Sequence, residues 1–356
     1  MLKELYFQNK KIVNIGGSIL LVLIFLIMYF YSSGNKITVQ NNDNNVVGSE
    51  RSIGESNVQA EDNKLPLNKI TGTRCEHGDM RPYAVMLAAD KVARPLSGVS
   101  EADLVIEMPV ITDGITRYMA LFQCEEPSEI GSIRSARHDF ITLADSFDAI
   151  YAHWGGSHFA LDKLNNGIID NLDALKNPYD MFYRKSNIAA PHNGFTSFDN
   201  MKNAAEKLGY RQTSDFEGYP HTKDKSATDQ KYEIDIKYPS PYNVSFRYDS
   251  KANSYFRSVG RFKEVDRNNN QQVEVKNFVI MEAESHQIED QYNDVAIEDS
   301  GSAIIYRNGE IIHGTWEKRS KKYIFLDEDK KEVEFAPGKI WISIVQPNEN
   351  ISIKNL

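Results

Sequence analysis

The rhythm of apolar and polar positions changes three times along the chain. Residues 12–31 ("IVNIGGSILLVLIFLIMYFY") form a run of twenty positions without a charge. At 1.5 Å rise per residue, such a helix spans a hydrocarbon core of about 30 Å, so one transmembrane helix is predicted over 12–31. From 32 to 64 bulky apolar residues become scarce and Asn, Ser, Gly, Glu and Asp dominate. That composition cannot offset the entropy of ordering and predicts a disordered stalk.

From residue 65 the pattern becomes that of folded elements. "RPYAVMLA", "ADLVIEMPV" and "TRYMALFQ" are β-branched and aromatic runs broken by Pro or Gly, and "AIYAHW" has the same character, as expected of strands. Phe140, Leu143, Ala144 and Phe147 recur at helical spacing in "HDFITLADSF". "SHFALDKL" and "SFDNMKNAAEKLG" also read as helices, the second closed by Gly209. The stretch 212–235 is polar and punctuated and reads as a linker. Beyond it come short alternating runs with turn signals such as "RNGE". The expected class is α+β: a layered sheet-and-helix domain over 65–211, then a smaller, largely antiparallel β domain over 236–356.

Charge orients this arrangement. Lys10 and Lys11 precede the apolar run, and only the lone Lys36 follows at once. The positive-inside bias therefore places residues 1–11 in the cytoplasm and both folded domains outside the cell membrane. A cleaved signal peptide is the rival reading, but its apolar region is shorter, about 7 to 15 residues, and ends at small residues. The aromatic end "MYFY" fits a retained anchor. The formal charge is −9 for the whole chain, and Lys3, Lys10 and Lys11 against Glu4 make residues 1–31 +2, which leaves −11 beyond residue 31 and argues against nucleic acid as a partner. Cys75 and Cys124 are the only cysteines. They flank two strands that would bring them together as a disulfide if paired antiparallel, with two free thiols as the alternative.

Three stretches carry candidate chemistry. In "EIGSIRSARHDF", a helix capped by Ser132 or Ser135 would put Arg134 and Arg137 on one face beside free amides, a site for carboxylate or phosphate. Salt bridges to Glu129 and Asp139 are the structural alternative. In "YAHWGGSHFALDKL", Gly155 and Gly156 permit close backbone approach, Ser157 is a natural N-cap, and His153 and His158 flank the turn. In "NIAAPHNGFTS", His192 and Asn193 sit in a loop. Were His138, Asp139, His153 and His192 to meet, an acid-base or metal centre would form. No nucleotide fingerprint, HExxH or CxxC occurs, and neither metal nor cofactor is expected. Glu107 with Asp139 would suit glycoside hydrolysis, although a buried Glu107–Arg117 ion pair is the simpler expectation. His313 and Trp316 read as ordinary strand residues.

Several of these segments, in order, carry a family likeness: "RPYAVMLAAD", "ADLVIEMPVITDGITRYMALFQ", "EIGSIRSARHDF" and "YAHWGGS", then "NFVIMEAE", "GSAIIYRNGEIIHGTWEK" and "PGKIWISIV". Over roughly Leu65 to Val345 the chain resembles the YerB-like bacterial surface lipoproteins, whose domain has no assigned activity. The resemblance implies an α+β fold. It draws attention to Glu107, Gly114, Thr116, Arg117, the run Arg134 to Arg137, Gly155 to Ser157, and Gly314 to Trp316, without giving any of them a role. Typical members carry a lipobox cysteine; here no cysteine precedes Cys75, so the apolar helix takes over as anchor.

These readings favour a membrane-anchored cell-envelope module that binds envelope polymer or an envelope-synthesis enzyme. The expected ligand residues are Arg117, Arg134, Ser135, Arg137, His153, Gly155, Gly156, Ser157, His192 and Asn193. A cell-wall hydrolase using Glu107, His138, Asp139 or His192 is the alternative, and a structural partner of another membrane protein is a third possibility.

Overall fold

A computed structural model describes residues 64–356 except 227, 239–241 and 348. The expected cytoplasmic segment, transmembrane helix and nearly all of the stalk lie outside these residues. Among the described residues no helix is long and apolar enough to cross a membrane.

Ten strands build the main sheet: β1 (Tyr83–Ala88), β2 (Leu104–Pro109), β3 (Thr116–Phe122), β4 (Ile150–His153), β5 (Asn171–Asp173), β6 (Asn277–Glu282), β7 (Ser300–Arg307), β8 (Glu310–Arg319), β9 (Lys322–Asp327) and β10 (Ile340–Val345). Their order is β9-β8-β7-β6-β10-β2-β3-β1-β4-β5. β10 lies parallel to both β6 and β2. The segments expected as separate domains thus interleave in one sheet, and 212–235 connects parts of one compact unit. Local alternation predicts strands but carries no information about which distant strand each will pair with.

Alternate residues of each strand face opposite sides. Tyr83, Val85 and Leu87 join one core cluster, shared with a second sheet that includes Tyr232–Ile236, Val244–Asp249 and Ser254–Val259. Ala84 and Met86 join the other cluster, beneath α1 (His138–Ser146) and α2 (His158–Asn165). α3 (Phe198–Lys207) packs Phe198, Met201, Ala204 and Ala205 onto the first side, and Gly209 follows it at φ +75°. The turn between β7 and β8 is Asn308-Gly309, both at positive φ, as "RNGE" predicts. The fold is α+β overall and mostly β.

Cys75 and Cys124 form a disulfide with Cα atoms 5.5 Å apart. It ties the segment before β1 to the end of β3, which are brought together by the antiparallel register Tyr83 to Phe122.

Candidate functional site

β1 and β4 run parallel as neighbours, and the crevice beyond the carboxyl ends of parallel strands is where ligands commonly bind. The segment 132–137 crosses that end. Its Arg134 amide donates to Met86 O at 2.8 Å, and its Arg134 carbonyl accepts from the Trp154 amide at 3.0 Å. The Ala136 amide donates to Gly155 O at 2.8 Å. Gly155 has φ +61°, and a Cβ on Gly156 would stand 3.2 Å from that of Ala136. The close approach that the glycine pair permits is therefore used by the chain's own Arg134–Arg137 segment.

α1 begins only at His138. Its N-cap position is Arg137, with no side-chain cap, so the expected cap by Ser132 or Ser135 is replaced by extended backbone. The two ladders on either side of 132–136 claim those amides first. Arg134 and Arg137 consequently do not share a helical face. They converge instead through Arg117 at the start of β3. Arg117 is 4% exposed, and its Nη1 donates to Ser135 O at 2.9 Å. Burial, with Arg137 and Arg134 nearby, holds its guanidinium below the ordinary value.

Among the described residues, no ion pair uses Arg117, Arg134 or Arg137; Asp90 is the acid whose charge reaches Arg117. Nη1 of Arg134, Nε of Arg137, Oγ of Ser132 and Nδ1 of His192 are buried without a hydrogen-bond partner. Three guanidiniums share one neighbourhood with no ion-paired carboxylate and only Asp90 acting on them from nearby, an arrangement that repels itself and stabilises a bound anion. The expected bridges from these arginines to Glu129 and Asp139 do not form. Glu129 instead takes Lys185, Ser97 and Tyr183.

The other predicted residues divide. His192 reaches the cluster, since its imidazole, held below its ordinary pKa by burial, feels Asp90 and Arg134. Its loop is carried there by Trp154: Arg184 stacks 4.1 Å from the indole, and Gly194 lets the chain pass against it. Ser157 caps α2, accepting from the Ala160 amide at 3.2 Å. His153 is fully buried and spent on Gly155 O (2.9 Å) and Asn171 Oδ1 (3.2 Å). Asn193 accepts from Arg184 Nη1 at 2.6 Å. These three serve the scaffold.

The acid-base residues do not assemble as expected. Glu107 pairs with Arg257 (2.6 Å), not Arg117, and takes a 2.9 Å hydrogen bond from Thr116. It is therefore committed away from Asp139. A charge on a distant strand wins because Arg257 is fully buried and needs a carboxylate. His138 and Asp139 stay together. His138 Nε2 lies 3.0 Å from Asp294 Oδ1 and 3.2 Å from Asp139 Oδ1. Burial and Asp294 push the Asp139 carboxyl up to about 8. Asp90 and Trp154 lie within stretches singled out in the sequence but were given no role there, and Asp294 lies in none of them; the three-dimensional neighbours reveal all three.

The fold sets the class: a two-part α+β family. Residues 70–211 match the family model described as "Protein of unknown function (DUF3048) N-terminal domain". Residues 234–342 match that described as "Protein of unknown function (DUF3048) C-terminal domain". The chain belongs to this family. It is 34% identical over 298 residues to the "Putative lipoprotein YerB" of Bacillus subtilis (strain 168), covering 82% of this chain and 88% of that protein. The crystal structure of YerB from Bacillus subtilis superposes with a TM-score of 0.75 at 33% identity, covering 82% of this chain and all of that one.

Proposed function

We propose that the chain is a membrane-anchored, extracytoplasmic protein of the cell envelope that binds anionic groups of an envelope polymer through Arg117, Arg134 and Arg137. The observation that carries this reading is the buried Arg117, set beside two further arginines with no ion-paired acid. The lipoprotein description of its Bacillus relative and the apolar run at 12–31 support the location. Ser132 and His192 supply the remaining free polar atoms of the site.

Asp139, held protonated beside Asp294, keeps a hydrolytic reading in view, because a raised carboxyl next to a second one is the pattern of a general acid. Retention of the purified chain on insoluble cell-wall sacculi, with the supernatant assayed for released fragments, separates the two. Binding is expected without release, and it should be lost when phosphate-rich polymer is stripped from the sacculi. Released fragments that vanish in Asp139→Asn would favour the hydrolase.

A further inference from the structure

A cavity of about 360 Å³, lined by none of the three clustered arginines, opens between the loop after β1 and the hairpin formed by Ser254–Val259 and Phe262–Lys263. That volume falls at the low end of small-molecule sites. Its lining is apolar, with Pro95, Tyr242, Val259 and Phe262 among the wall residues. Lys91, Arg261 and Lys263 also line it, and none of the three is ion-paired among the described residues. The one acid in the wall, Glu264, is 5% exposed and already held by Arg257, by Tyr118 at 3.3 Å and by Arg94 at 3.7 Å. The lining itself thus carries three unpaired cations and no unpaired acid, while Asp90, next to Lys91 in the chain, is the nearby carboxylate whose charge reaches Tyr242.

Both walls also expose an apolar side chain next to a cation. Phe262 is 74% exposed between Arg261 and Lys263, and Val92 is 75% exposed beside Lys91. Aromatic and aliphatic tips flanked by basic residues suit the boundary between acyl chains and anionic headgroups. A soluble sugar would leave this apolar surface unmatched.

We infer that this cavity takes the hydrocarbon chain of a long-chain lipid phosphate, with Lys91, Arg261 and Lys263 meeting its headgroup. The inference does not depend on the arginine site, which involves different side chains.

Photo-crosslinking of the full chain in neutral-lipid nanodiscs tests it, using dodecyl phosphate with a diazirine in its tail. Cross-links should map to peptides containing Tyr242, Val259 and Phe262. Excess dodecyl phosphate should compete, while dodecyl maltoside and inorganic phosphate should not. The triple change Lys91→Ala, Arg261→Ala, Lys263→Ala alters only surface side chains and should cut labelling at least fivefold. Val259→Trp, which fills the cavity, should abolish it. Labelling spread over the surface, equal competition by dodecyl maltoside, or undiminished labelling in the folded triple variant would overturn the assignment.

Discussion

Arg257, on a strand of the second sheet, places its Nη2 2.6 Å from Oε2 of Glu107 in β2. Both residues are fully buried, and the guanidinium also lies 4.2 Å from the Trp341 ring. This pair joins residues 150 positions apart and locks the second sheet onto the first. Arg257 also holds the buried Glu264, so removing the arginine leaves two carboxylates in the core without it, at a cost of about 3–5 kcal/mol. Arg257→Met is expected to lower the urea-unfolding free energy by that amount, and a loss below about 1 kcal/mol would show that this ion-pair group is not holding the sheets together.

The Cys75–Cys124 bridge closes a loop with a sequence separation of 49. In the chain-entropy account, a loop of this length is worth about 4 kcal/mol through the unfolded state. Cys75→Ser with Cys124→Ser should lower the denaturant midpoint accordingly, and reductant should reproduce the shift in the unmodified chain only.

Asp139 gives a pH dependence with a definite sign. Its folded value of about 8 lies above the ordinary aspartate value of 3.8. The stability it contributes is therefore complete below about pH 3.8 and is lost as pH rises through 8. In that window the folded state holds a proton that the unfolded state has released, a slope of up to about 1.4 kcal/mol per pH unit. Asp139→Asn, a neutral isostere, should gain on the unmodified chain as pH rises from 5 to 8. Parallel stability profiles for the two proteins would contradict the assignment.

Arg117 has burial and two neighbouring cations against its charge, and a hydrogen bond to Ser135 O and the more distant Asp90 in its favour. Arg117→Met keeps the stem and removes the charge. In thermal unfolding without anion, the variant should melt within about 2 °C of the unmodified chain or above it, because the removed charge was unfavourable. A drop of several degrees would mark Arg117 as a structural residue.

Much of the architecture could be read from the alternation. Tyr83–Ala88, Leu104–Pro109 and Thr116–Phe122 stand where the apolar runs place them, and α1 covers the spacing of Phe140, Leu143 and Ala144. Partnership across distance was not legible. Nothing in "KIWISIVQ" tells that it enters between β6 and β2, and nothing near Glu107 points to Arg257. The arginines were conspicuous in sequence, yet their meeting point is Arg117, fixed by the Ala88 to Arg117 register. The helix start was misread because two flanking ladders claim the backbone of 132–136, a tertiary effect that local capping signals do not contain. His153 looked like a ligand residue because exposure cannot be judged from a single strand.

Isothermal titration of the chain with inorganic pyrophosphate, alongside the double variant Arg134→Ala, Arg137→Ala, tests the anion site most directly. Charge-assisted contacts are worth about 1.5–3 kcal/mol each, so the double variant should bind at least tenfold more weakly while its thermal midpoint without ligand stays within about 2 °C. No saturable binding by the unmodified chain, or equal binding by a folded double variant, would contradict the arginine cluster as the functional site.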